Sequence, residues 1–214
     1  YGEVLSFKTL LPLYDKQTDL DIASAIDLSS SGSANCYIIS ESGLYKFRTT
    51  KGNSQVSVGN VASASMIWET FGTSVAPEKF DLISGFCYKD GFIVFKTSDS
   101  FKEGNALLAA KDAKGEILWS WHIWFTDQPK EQVYFNNAGI LMDRNIGATS
   151  ATPGDVGALG LMYQWGRKDP FLGSSTTKFE DFTYAESTIT WPAHVYSDLV
   201  YGTIEYTIAH PTTL

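Results

Sequence analysis

Three histidines (His122, His194, His210), two cysteines (Cys36, Cys87) and 24 acidic residues are the side chains with which this chain could move protons, attack a carbonyl or hold a metal. A metal site needs several convergent ligands. The histidines are scattered with no ligand-like spacing, and each reads as a surface or capped residue. Gly-x-Ser-x-Gly, His-Glu-x-x-His, the Walker loop and Cys-x-x-Cys are all missing from the sequence. Gly154, Gly157 and Gly160 do not follow Gly-x-Gly-x-x-Gly, and no parallel βαβ unit precedes them; they read as permitting close packing. A glycosidase pair is defined by the distance between two carboxylates, and no local feature nominates two. The expectation is a non-enzyme: no catalytic residue, no cofactor and no metal.

Binding is the remaining chemistry. Aromatic rings beside polar groups can stack on sugar rings, and two places offer this: Trp124 with His122, and Trp165 with Arg167. The competing reading is ordinary packing, since tryptophan is highly buried on average. Asp143, Arg144 and Asn145 could contact a ligand, but such a trio more often pins a loop through ion pairs and side-chain-to-backbone hydrogen bonds. Cys36 and Cys87 could pair if the fold brought them together, or stand as two free thiols buried in strands.

The elements that must position these groups are mostly strands. Of the 214 residues, 43% are hydrophobic, 19% charged and 14% aromatic, with 18 glycines. This is a folded composition with many tight turns, long enough for one large domain or two smaller ones. The net charge of −8 and the lack of a basic run exclude nucleic acid as a natural partner. No stretch approaches the roughly 20 apolar residues that span a bilayer. The chain starts at Tyr1 with neither an initiator Met nor a signal-peptide pattern, as a processed mature chain or an excised fragment would.

From about 34 to 125 the text alternates between strand and turn. Residues 35–40 and 44–49 flank Glu41-Ser42-Gly43, which reads as a short hairpin connection. Residues 55–61 alternate polar and apolar, and 64–69 form a further strand carrying Met66 and Trp68. Residues 82–88 and Phe92–Thr97 flank Lys89-Asp90-Gly91, a type I′ hairpin signal. The clearest unit is 105–111, a turn at 112–115, then 116–125. In its second strand Ile117, Trp119, Trp121, Ile123 and Phe125 share one face, read as core. Leu118, Ser120, His122 and Trp124 share the other. A one-residue slip would turn the apolar row outward, so the register should be fixed. Eight or nine such strands imply an antiparallel β-sandwich.

A polar, Pro-containing stretch at 126–130 marks a boundary, giving domains 1–127 and 128–214. Beyond it, a strand is expected at Ile140–Met142, followed by a small-residue loop at 147–152. A helix is expected from about Pro153 to Gly166, with Val156, Leu159 and Tyr163 on one stripe. A polar loop is expected at 173–177, and a strand at 203–208 with Ile204, Tyr206 and Ile208 on one side.

Two passages carry a resemblance. SANCYIIS-ESGLYKF at 33–47, with GNALLAAKDAKGEILWSWHIW at 104–124, resembles the β-rich module of fimbrillin-like, lipid-anchored surface proteins of gut anaerobes. MDRNIGATSATPGDVGALGLMYQWGRKDPF at 142–171 resembles the start of a FISUMP-type (major paralogous) domain, related to the C-type-lectin-like fold. The resemblance implies an exported protein of the cell surface or outer membrane, an adhesin or fimbria-associated component. Its partners would be other surface or fimbrial proteins, or host or dietary glycans, with any lipid anchor outside this chain. It carries over no enzyme, because the active cysteines of the formylglycine-generating relatives have no counterpart here. Domains of this type continue past the His-Pro at 210–211, so the resemblance makes the second module an incomplete α+β lectin-like one.

Overall fold

The computed structural model describes residues 17–173, 187–192 and 194–213. The protein is mainly β, built on two four-stranded sheets stacked face to face. The first contains β1 (Ile26–Asp27), β3 (Leu44–Arg48), β6 (Phe92–Thr97) and β5 (Ile83–Lys89), side by side in that order. The second contains β2 (Cys36–Ile39), β8 (Ile117–Phe125), β7 (Gly104–Lys111) and β4 (Ser63–Thr70). Two local hairpins fall where turn chemistry places them. β5 and β6 pair from Lys89 opposite Phe92, and both turn residues have positive φ, 51° at Asp90 and 82° at Gly91, as a type I′ turn demands. β7 and β8 are joined by a turn in which the Asp112 carboxylate accepts from the amides of Lys114 (2.8 Å) and Glu116 (2.9 Å).

Between the sheets lies a core of Phe47, Phe86, Phe95, Met66, Leu108, Trp121, Ile123 and Phe125. Trp121 stands against Phe47 at 5.1 Å between ring centroids, and Phe47 against Phe95 at 6.1 Å. The alternate residues of β8 therefore point inward, except at its start. Trp119 sits at the rim of this core, and Ile117 packs on the opposite face of the sheet. The cause is a bulge: Ala110 faces Trp119 but Lys111 faces Ile117, so one extra residue reverses the alternation.

The expected hairpin at 41–43 is instead a crossing between sheets. β2 pairs with β8 and β3 pairs with β6, because Tyr37 and Ile39 must face Tyr45 and Phe47 across the core rather than lie beside them. Nor is the sandwich wholly antiparallel: β1 runs parallel to β3, and β2 parallel to β8. Residues 55–61 contribute a single isolated bridge, Thr50 to Ser57, rather than a strand.

After β8, the described residues form a small hairpin of β9 (Glu131–Val133) and β10 (Ile140–Met142), a 3-10 turn at Val156–Ala158, and a helix, α1 (Ile204–Ala209). The helix expected over 153–166 does not form. Gly154, Gly160 and Gly166 adopt φ of 85°, 73° and 80°, which breaks the helical path at both ends, and Val156, Leu159 and Tyr163 stay exposed. The strand expected at 203–208 is α1. The Thr203 hydroxyl accepts from the Tyr206 amide at 3.2 Å, capping a segment that satisfies its own backbone. The polar loop expected at 173–177 lies, past Gly173, outside the described residues.

The C-terminal stretch coats the outer face of the second sheet. Leu161, Phe171, Leu172, Ile189 and Trp191 form one cluster with Ile67, Trp68, Leu107 and Ala109. A bulge between Met66 and Trp68 puts Ile67 and Trp68 together on that face. Burial on both sides explains why β7 reads as an almost continuous apolar run instead of alternating.

Candidate functional site

His122 and Trp124, one of the two aromatic sites expected from the sequence, are not at the surface. They are 2% and 1% exposed, and the Trp124 indole donates to the Ala148 carbonyl at 2.9 Å. Strand alternation places them on the outer face of the second sheet, but the C-terminal coat covers that face. A ring bound to the coat's backbone cannot meet a sugar, so His122 and Trp124 offer no sugar-binding face.

The same face does assemble an arrangement not visible in the sequence. Cys36 and His122 lie opposite each other across the parallel β2–β8 pair, with Sγ 3.2 Å from Nδ1. Nε2 of His122 is 2.9 Å from Oδ1 of Asn105, whose Nδ2 donates to the Gly147 carbonyl at 2.9 Å. Because the Asn105 amide gives its protons to Gly147, its oxygen must accept from His122 Nε2. Nδ1 is then bare and receives the Cys36 thiol proton. The chain Cys36–His122–Asn105 has the connectivity of a cysteine nucleophile, its base and an orienting amide. Its electrostatics are those of a structural link. Burial holds His122 neutral, its pKa drawn down to about 3, and pushes the Cys36 thiol up to about 12. A reactive thiolate requires the reverse.

Cys87 lies buried in β5 of the other sheet and is likewise free; burial raises its pKa too. Titration in denaturant without reductant is expected to find two thiols per chain. The native protein at neutral pH is expected to release almost none to alkylation over the same interval. Rapid native labelling at Cys36 would contradict the assigned hydrogen-bond direction.

Two further polar clusters act as fasteners. Lys168 donates to Ser120 Oγ (2.7 Å) and to the Asp169 carboxylate (2.8 Å), and Ser120 Oγ donates to Asp169 at 2.7 Å. The ammonium also stands 4.6 Å from the Trp119 ring centre. Arg144 pairs with Asp143 (2.8 Å), with Asp127, and with Thr126 Oγ1 at 3.0 Å. Asn145 donates to the Ala158 carbonyl at 3.2 Å. The trio at 143–145 thus pins the chain where it leaves β8. No group of three or more metal-ligating side chains exists among the described residues.

Trp165 and Arg167, the second aromatic site, do come together at the surface. They line a cavity of about 300 Å³ with Gln164, Ser197, Tyr201 and Tyr206. The Trp165 indole is fully exposed, and Gly166 beside it has φ of 80°. Arg167 is held in place: Nη1 donates to the Thr213 carbonyl (2.7 Å), Nη2 to the His210 carbonyl (2.9 Å), and the guanidinium lies 4.8 Å from the Phe171 ring centre. Tyr201 meets Tyr206 edge to face at 5.0 Å, and Tyr206 stacks on His210 at 4.0 Å. His194 packs on Tyr196. Tyr201 and Tyr206 were not nominated from sequence. Tyr206 reads from sequence as part of a strand at 203–208 and Tyr201 lies outside that strand, yet both line the cavity with Trp165.

No protein-family model, curated protein or solved structure matches this chain.

Proposed function

We propose that this chain is a non-enzymatic binding protein of a cell surface, of the adhesion class, and that it engages glycans through the aromatic rim around Trp165. The observation that carries the reading is the fully exposed Trp165 indole at the lip of a cavity that also offers Gln164, Arg167 and Ser197. A flat aromatic face with hydrogen-bonding side chains beside it is what a pyranose ring requires of a protein. The placement of the titratable constellations supports a binding role rather than turnover. Glu69, His122, Ser120 and Asp169 are all buried and bonded to the protein's own groups. The resemblance to fimbrillin-like and FISUMP-type proteins points the same way, toward an exported protein whose partners are surface proteins or host and dietary glycans.

Trp165→Ala tests the reading cleanly, because a fully exposed side chain contributes little to the fold. Its unfolding midpoint is expected to shift by no more than about 0.5 kcal/mol. Retardation on polysaccharide gels, or signal on a glycan array, is expected to fall at least tenfold, the scale of one lost stacking contact. A variant that binds as well as the parent would remove the proposal.

A further inference from the structure

Charge is distributed unevenly around the cavity at Trp165. The chain carries 24 acidic and 16 basic residues, yet Arg167 is the only charged residue among the described residues that line the cavity. Arg167 makes no ion pair among the described residues: its two terminal nitrogens are bound by neutral backbone carbonyls, at His210 and Thr213. Its ε nitrogen is buried without an acceptor among the described residues. Asp169, whose charge acts on it, is already held by Lys168 and Ser120. The guanidinium is therefore rigid, half-buried and bonded directly only to neutral carbonyls among the described residues. A partly buried cation in that condition favours an anion, and the planar fork of arginine suits a carboxylate.

We infer that the cavity takes a carboxylate-bearing saccharide, a uronate-type sugar, with its ring on Trp165 and its carboxylate toward Arg167. The inference rests on the glycan reading above and narrows it to an acidic sugar. At about 300 Å³ the cavity stands at the small end of ligand sites, which run from about 300 to 1,000 Å³; that suits a single sugar unit rather than a long groove-bound chain.

The test changes the ligand rather than the protein. Binding is measured by affinity electrophoresis and calorimetry to polygalacturonate, to the same polymer fully methyl-esterified, to a neutral glucan and to polyglutamate. The expected result is binding to polygalacturonate at least tenfold tighter than to the ester or the glucan, with little binding to polyglutamate. Arg167→Gln is expected to abolish that preference. Arg167→Lys, which keeps the charge but not the fork, should retain part of it, with circular dichroism confirming that both variants fold. If either fails to fold, the ester comparison decides alone. Equal binding of acid and ester would overturn the acidic-sugar assignment while leaving the glycan reading standing. Equal binding of polyglutamate would reduce the site to a general anion site and overturn the assignment. No binding to any polysaccharide would overturn both.

Discussion

Trp121→Ala is expected to destabilise the protein by about 3–5 kcal/mol, enough to leave much of the population unfolded or loosely packed near physiological temperature. Trp121 is fully buried at the seam between the sheets, in ring contact with Phe47 and flanked in the core by Ile123 and Phe125. Its removal leaves a large cavity that strands on both sides, held in ladders, cannot collapse to fill. The indole nitrogen has no hydrogen-bond partner among the described residues. Trp121→Phe should therefore lose area but no polar contact, and cost less than half as much as the alanine variant. Urea unfolding followed by circular dichroism compares the two. An alanine variant within about 1 kcal/mol of the parent would mean that β8 does not seal the sandwich.

Glu69 carries the second large effect. The bulge in β4 reverses its alternation, so Glu69, opposite Ala106, turns into the space between the sheets. There its carboxylate accepts from the amides of Phe80 (3.0 Å), Leu82 (3.1 Å) and Ile83 (2.8 Å). These groups lie on the run into β5, in the opposite sheet, so one side chain ties the layers together. Glu69→Ala strands three amides and is expected to cost about 3 kcal/mol or more, since each unsatisfied buried donor costs about 1–3 kcal/mol.

The pH dependence follows from two buried groups. Burial drives the Glu69 carboxyl up to about 7, against the opposing pull of its three amide donors. An unfolded glutamate titrates near about 4.3. Between those values the folded chain holds a proton that the unfolded chain has released, so stability falls as pH rises through the window. His122 acts in the opposite sense: it titrates at about 3 when folded and near about 6.5 when unfolded. Between those values the unfolded chain holds the extra proton, so stability falls as pH drops. In the parent the two slopes oppose each other over the shared range. In Glu69→Gln the histidine slope is no longer opposed by Glu69, and stability should climb with pH to about 6.5 and then level off. Urea midpoints measured from acid to mildly alkaline pH check this; identical profiles for the two proteins would show that Glu69 does not change its charge on folding.

The parts of the fold legible from sequence are those set by neighbours in the chain. Asp90-Gly91 announces its turn because both positions need positive φ. Trp121, Ile123 and Phe125 announce the core face because a strand alternates. Glu69, His122 and Trp124 were not legible, since their surroundings depend on distant partners. The parallel pairing of β2 with β8 joins residues 86 apart and creates the Cys36–His122 contact. The single-residue bulges that redirect Ile117 and Glu69 leave no mark in composition. Trp124 and Trp165 look alike as sequence, each an aromatic beside a polar residue. They differ because one lies under the C-terminal coat and the other on it. The helix expected at 153–166 failed on glycines at 154, 160 and 166, whose positive φ outweighed an apolar stripe.

The coat over the second sheet also bears on the order of events in biosynthesis. A chain made from its amino end completes β7 and β8 well before residues 161–191 exist, so Ile67, Trp68, Leu107 and Ala109 must wait in water for their cover. During that interval the half-made protein presents a broad greasy sheet face of the sort that drives self-association. The hazard ends when Leu161, Phe171, Leu172, Ile189 and Trp191 come to lie on that face.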